Sequence, residues 1–437
     1  MWFEEEYKRY YPNDYLASNV VGFINNDGMA VMGLEQYYDK ELSGVNGRKY
    51  GYLGRDYELE NVEKPAINGL NIVTTINPNM QKICEEKLNE WQTGDIGSLS
   101  ASAMIMNPNN GEIYAMASTN SFNLNDPRNV EELDEEYVKE VGIENIWYSR
   151  WKNLCVQDTY EPGSTAKIVT FAAAVDENLV SSDAVFDCKG FIELDDGEHK
   201  WRIRCNNRNG HGVLNLMETL TKSCNMSMAE MGEMLGVSNF TKYQKTFGFG
   251  EYTNIDLPNE ADTRNLVYTK ENMGRTDLAT NSFGQNFNCT MVQLAAAFSS
   301  AINGGKYFEP HFVKRIENET GTYVKNINKP VLRQTISEKT SKYLREALFE
   351  TVETGTGKFA QIKNRNIGGK TGTAEKLPRA DKNYLVSFIG FDDKDNPNLV
   401  LYVVVDQPNL EGEEQASATF ATKIFHDIMK EVLNDYE

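Results

Sequence analysis

Apolar and polar positions change their period several times along the chain, and each change marks an element. Gly69 to Ile76 reads as a strand. Asn77-Pro78 then caps a helix whose Met80, Ile83, Cys84, Leu88 and Trp91 share one face. A Gly- and Ser-containing stretch, Thr93 to Ser100, marks a boundary, and what precedes it is rich in Tyr, Gly and Asn. Beyond it, Ala101–Met106, a turn at Asn107-Pro-Asn-Asn-Gly111 and Glu112–Ser118 predict a hairpin. The acidic run 131–140 reads as a solvated helix face. Near the C-terminus, Tyr384–Phe391 and Asn398–Val405 read as adjacent antiparallel strands, and Ala416–Leu433 as a terminal helix. Residues 164–350 are mostly helical in pattern. The expectation is an α+β fold, an antiparallel sheet built from both chain ends with a helical region inserted.

Three short strings give this frame its chemistry: Ser164-Thr-Ala-Lys167, Ser223-Cys-Asn225 and Lys370-Thr-Gly372. One Ser-x-x-Lys is weak evidence, since a chain of this size shows roughly one or two by chance. Order and local setting strengthen it. Glu161-Pro-Gly turns into an apolar helix from Ser164 to Val175, so Ser164 falls on the first turn of a buried helix with Lys167 on the same face. A buried lysine beside other cations loses its proton readily, which makes Lys167 the candidate base for a Ser164 nucleophile. The helix N-terminus adds N–H groups where an oxyanion would form. Ser223 is placed to relay a proton and Asn225 to bind a substrate amide, both at the start of another helix. Lys370-Thr-Gly-Thr373 reads as an edge strand lining the cleft, with Gly372 admitting a substrate backbone.

Competing motifs fail on inspection. Asn364 stands where a phosphate loop ending in Gly369-Lys370-Thr371 needs its first glycine, and in Thr354-Gly-Thr-Gly-Lys358 the lysine is followed by Phe359. Four histidines, none beside a Gly-x-Ser-x-Gly string, do not suit a Ser/His/Asp triad. Across 437 residues the formal charge is −20, which argues against nucleic acid and anionic membrane surfaces as direct partners. No apolar run reaches the length of a membrane span.

The three strings, with Tyr11-Pro12, Leu16–Gly22, Gly33-Leu-Glu35, Tyr38-Asp39, Leu42-Ser-Gly44, Gly69–Gln81, Asn153, Tyr160–Lys167, Ser282-Phe-Gly-Gln285, Thr290, Gln293, Gly369–Glu375 and Ser387-Phe-Ile-Gly390, resemble the class B penicillin-binding proteins. The resemblance covers nearly the whole chain. It implies a truncated, dimerisation-type N-terminal pedestal over 1–94 and a transpeptidase domain of the penicillin-binding fold over 95–437. It implies a D,D-transpeptidase that cross-links peptidoglycan stem peptides with release of D-Ala and is acylated by β-lactams. Ser164 would be the nucleophile, Lys167 the base, Ser223 the proton shuttle and Asn225 an amide contact. Lys370 would give electrostatic support, Thr371 and Thr373 would hold a carboxylate, and the N–H groups of Ser164 and Thr373 would form the oxyanion hole. The resemblance also implies an N-terminal membrane anchor absent from the chain as given, a place on the outer face of the bacterial cytoplasmic membrane, and a membrane glycosyltransferase partner. Asn225 resembles the division and sporulation branches. Two rivals are a serine β-lactamase, for which Glu85-x-x-Leu-Asn89 is a candidate base string, and a penicillin-sensing scaffold that does not turn over.

Six cysteines in such a protein invite disulfides or metal. A hairpin over 189–204 with its turn at Asp196-Gly197 would set Cys188 opposite Cys205. His211 and Cys224 follow, and Cys188, Cys205, His211 and Cys224 together suit a closed structural zinc site, with His199 a rival ligand. A Cys188–Cys205 disulfide and unbonded thiols are the alternatives. Cys84, Cys155 and Cys289 lie among apolar residues and read as core.

Overall fold

The structure, a computed structural model, describes residues 8–435 apart from 54, 56–58, 132 and 196–199. Its centre is a five-stranded antiparallel sheet in the order Gly368–Glu375, Tyr384–Phe391, Val400–Pro408, Ser98–Met106, Ile113–Ser118. Both chain ends therefore supply the sheet, as the apolar pattern predicts, and the 101–118 hairpin forms with Ser102 opposite Ser118. The strand Val400–Pro408 is nearly continuous in apolar residues because both faces are covered. Val400, Tyr402 and Val404 enter one core with the helices Lys167–Asp176, Met291–Ile302 and Glu338–Glu353. Leu401, Val403 and Val405 enter a second core with the terminal helix Thr419–Asp435.

The Pro78–Thr93 helix starts at its expected cap, where Asn77 Oδ1 accepts from the Asn79 and Met80 amides. Its Met80, Ile83, Cys84 and Leu88 pack into the second core, against the five-stranded sheet. The acidic segment gives a helix, Glu135–Val141, with no buried residue. The region 164–350 departs from its helical expectation by carrying short strands among its helices, including Val185–Cys188, Phe191–Asp195, Lys200–Arg204 and Gly212–Asn215. Before the sheet, Tyr11, Phe23 and Met32 form a small core with Phe122 and Leu124. A hairpin of Arg48–Leu53 on Leu59–Lys64 stands out from it.

Candidate active site

A pair of glycines fixes the position of Ser164, the expected nucleophile. Gly163 has φ +56°, its N–H donates to Gly284 O at 2.9 Å, and a Cβ on it would lie 2.4 Å from Thr373 O. Only glycine fits between the edge strand and the 282–285 turn. The chain leaves it as a single 3-10 turn, Gly163–Ala166, that runs into the Lys167–Asp176 helix. Ser164 is half-buried on that turn and Lys167 is fully buried one turn on.

Lys167 Nζ donates to Ser223 O (2.6 Å), Ser223 Oγ (3.1 Å) and Asn225 Oδ1 (2.6 Å). Lys370 Nζ reaches the same Ser223 Oγ at 3.0 Å, with Thr371 O at 3.1 Å. Ser223 Oγ thus bridges two buried amines, and its backbone holds φ +54°, a left-handed conformation uncommon for serine. No carboxylate pairs with either lysine among the described residues. Burial lowers the Lys167 pKa to about 8, with the nearby cysteines opposing. Burial, and then the charge of Lys167, hold Lys370 well below the ordinary lysine range. Two ammonium groups sharing one hydroxyl repel, so a neutral amine is available near neutral pH. Ser164 Oγ has no hydrogen-bond partner among the described residues. Asn225, expected to meet substrate, also orients Lys167 and donates to Arg204 O at 3.3 Å.

The edge strand Gly368–Glu375 lies along the cleft as expected. Thr371 Oγ1 meets Thr356 Oγ1 at 2.9 Å, and Thr373 Oγ1 donates to Ala416 O at 3.3 Å. A Cβ on Gly163 would also lie 3.3 Å from Thr373 N, so the backbones that carry the two expected oxyanion donors adjoin. Gly372 also meets a demand on the side of the strand away from the cleft. A Cβ there would lie 2.3 Å from Ser387 Oγ and 2.9 Å from Thr165 Cγ2, so the glycine is needed by packing behind the strand. Side chains alternate across a strand, which puts Thr371 and Thr373 on the cleft and position 372 away from it.

Ser164, Ser223, Asn225, Thr371 and Thr373 line one cavity of about 630 Å³. Asn206, Phe283, Gln285, Thr356, Lys358 and Phe359 complete its wall, and no Asp or Glu is among its lining residues. Of these, Thr356, Lys358 and Phe359 belong to the string that failed as a phosphate loop; its glycines were the available signal. Glu85 is half-buried on the Pro78–Thr93 helix, where it accepts from Ala17 N and Gln81 Nε2, each at 2.8 Å. A lactamase base is therefore missing from the described cleft.

Beside Ser223 lies a sulfur cluster. The ligand atoms of Cys188, Cys205, His211 and Cys224 are all within 4.8 Å of one another, with the three cysteines buried. Cys205 Sγ is 3.8 Å from Cys224 Sγ and 3.5 Å from His211 Nδ1. Tetrahedral zinc, with ligand distances of about 2.3 Å for sulfur and about 2.0 Å for nitrogen, needs edges of about 3.8 Å and about 3.5 Å. The donor set suits that ion. The Cys224 S–H hydrogen bond holds the Cys205 pKa below the ordinary thiol value, and Cys224 is raised in turn.

The cysteines reach this arrangement by another route than the expected hairpin. Phe191 pairs with Arg204 and Asp195 with Lys200, a register two residues off the one that would set Cys188 opposite Cys205. Asp196-Gly197 and His199 lie outside the described residues. Gly190, at φ +90°, turns the chain after Cys188, which pairs across from Gly212 on a separate two-stranded sheet. All six cysteines are free thiols, and Cys84, Cys155 and Cys289 are core residues.

A family model described as penicillin binding protein transpeptidase domain matches residues 101–430. Stage V sporulation protein D of Bacillus subtilis is 38% identical over 441 residues, covering 98% of this chain and 64% of that protein. Penicillin-binding protein PbpB of Mycobacterium tuberculosis is 26% identical, covering 97% of this chain and 61% of its own. The chain thus spans less than two thirds of the length of these relatives. Among solved structures, penicillin binding protein 3 from Mycobacterium tuberculosis superimposes with a TM-score of 0.82 at 24% identity, covering 98% of this chain and 91% of that one. Penicillin Binding Protein 2X from Streptococcus thermophilus gives 0.80 at 22%, covering 97% and 63%. These likenesses establish the fold, α+β as expected.

Proposed function

Because the chain belongs to the penicillin-binding protein transpeptidase family, we propose that it is a peptidoglycan D,D-transpeptidase working through an acyl-enzyme on Ser164. The observation that carries this is Ser223 Oγ held between the buried amines of Lys167 and Lys370, in the cavity that exposes Ser164. Neutral Lys167 takes the Ser164 proton as Oγ attacks the carbonyl of the penultimate D-Ala. The negative oxygen is met by the N–H groups of Ser164 and Thr373. Ser223 passes a proton to the departing amine, the peptide C–N bond breaks, and D-Ala leaves. An amine of a second stem peptide then attacks the Ser164 ester, forming the cross-link and returning the proton to serine. Thr371 and Thr373 are set to hold the terminal carboxylate. A β-lactam acylates the same serine, and with no carboxylate in the described cleft wall to activate water, the adduct persists. Solved relatives of this fold include complexes of penicillin binding protein 3 with ampicillin and aztreonam.

Cross-linking needs polymerised glycan beside the membrane, so the reading includes a membrane glycosyltransferase partner and anchoring at the outer face of the cytoplasmic membrane. No helix among the described residues is long and apolar enough to cross a membrane. The 38% identity to a sporulation protein favours the sporulation branch over elongation. Incubation with benzylpenicillin is expected to add one adduct mass on Ser164 that lasts for hours, and D-Ala is expected from a D-Ala-D-Ala donor. A labelled Ser164→Ala protein, or an adduct that hydrolyses within minutes, overturns the assignment.

Cys188, Cys205, His211 and Cys224 are proposed to bind one structural zinc, whose part would be to neutralise the thiolates and fix the segment that presents Ser223 and Asn225. Protein purified without added zinc should carry about one equivalent, and Cys205→Ser much less. Below about 0.2 equivalents in the wild type, the site is not zinc.

A further inference from the structure

The Thr354–Ala360 turn has no part in the acyl-transfer chemistry, yet it forms one wall of the cleft. It is built to be rigid. A Cβ on Gly355 would lie 2.5 Å from Thr221 O, the Gly357 amide donates to Thr351 O at 3.0 Å, and Thr356 is tied to Thr371 at 2.9 Å. From this fixed base Lys358 and Phe359 face the cavity, the phenyl ring 55% exposed. Lys423, from the terminal helix, sets its Nζ 6.0 Å from the centre of that ring. Neither Lys358 nor Lys423 has a carboxylate within 4.0 Å among the described residues, although the chain holds 64 acidic against 44 basic side chains. An exposed ring with Lys423 Nζ near it and Lys358 next to it in the chain, both lysines without a carboxylate partner among the described residues, at a cavity whose lining holds no Asp or Glu, matches a ligand group with an aliphatic stem and an anionic tip.

We propose that Lys358, Phe359 and Lys423 form a shelf that reads the acyl donor, favouring stem peptides whose residue before D-Ala-D-Ala bears a side chain ending in a free carboxylate. The ring packs the methylenes and the two ammonium groups receive the carboxylate, so the primary amide of the same side chain binds less well. This rests on the transpeptidase reading above and adds its substrate class.

Two synthetic donors test it, identical except that this side chain ends in a carboxylate or in its amide, with D-Ala release as the readout. The wild type should prefer the carboxylate donor by about fivefold, through KM and not kcat, as expected of exposed charge pairs. Lys358→Gln and Lys423→Gln should each cut that ratio to about twofold or less, and Lys358→Arg should restore it. Benzylpenicillin adduct mass establishes that each variant carries a working Ser164. A wild type without preference, or a Lys358→Gln protein that keeps it, overturns the shelf and leaves the acyl-enzyme standing. A wild type acylated by neither penicillin nor donor overturns the transpeptidase reading, and the shelf with it.

Discussion

At the scale of single residues, the proposed activity depends on how much of Lys167 is neutral. Its amine can accept the Ser164 proton only in the unprotonated form, and burial has brought its pKa to about 8. The sign follows: as pH rises through that value, the fraction of working base grows, and acylation by benzylpenicillin should climb about tenfold per unit below it and level off above. Stopped-flow acylation from pH 5.5 to 9.5 measures the limb; a flat profile would remove Lys167 as base. Ser223 carries a second expectation. Its hydroxyl sits between two amines at 3.1 and 3.0 Å, so Ser223→Ala takes away the relay and leaves both lysines partly unsatisfied. A loss in acylation rate of about 10²–10⁴ fits removal of a positioned proton carrier. A loss below about fivefold would instead assign Ser223 to packing.

Among the elements, the edge strand shows what the sequence discloses and what it conceals. Lys370-Thr-Gly372 was legible as a cleft-lining edge because two β-rich runs follow it. The packing demand on Gly372 was not legible, since it depends on Ser387 and Thr165, which reach it only through tertiary packing. Gly372→Ala should therefore destabilise by about 1–3 kcal/mol through overcrowding. Removing the nearest clashing atom with Ser387→Ala should return part of that loss, a coupling read from denaturant midpoints. Additive effects would put the demand for glycine back on the substrate side. The same limit shaped the cysteine region. The four candidate ligand residues could be named from their chemistry, but the pairing register could not, because Gly190 sends Cys188 to a second sheet. The glycines of the Thr354–Ala360 turn mark a turn in the sequence, but its place in the cleft wall was missed because that depends on packing against Thr221, Thr351 and Thr371.

For the molecule as a whole, one buried carboxylate joins parts far apart in the chain. Asp256 Oδ1 accepts from Phe312 N at 2.7 Å, and its Oδ2 accepts from Val313 N and Tyr38 Oη, each at 2.9 Å. Phe312 and Val313 lead the strand that pairs with Asn71–Thr74, so the N-terminal region, the 253–260 loop and this small sheet meet at a single side chain. Asp256 is not among the residues lining the Ser164 cavity. Losing it should therefore lower stability without touching the chemistry. Asp256→Ala strands two buried backbone donors and a phenol, at about 1–3 kcal/mol for each, whereas Tyr38→Phe removes one bond to a charged group, worth about 1.5–3 kcal/mol. The aspartate variant should be the less stable of the two, and folded protein of both should acylate with benzylpenicillin within about twofold of wild type. If the N-terminal region and the catalytic sheet melt as one unit, calorimetry of Tyr38→Phe will show a single transition at lower temperature. A split into two transitions, the later one at the wild-type temperature and carrying penicillin binding, would mean that the junction docks two independently stable bodies.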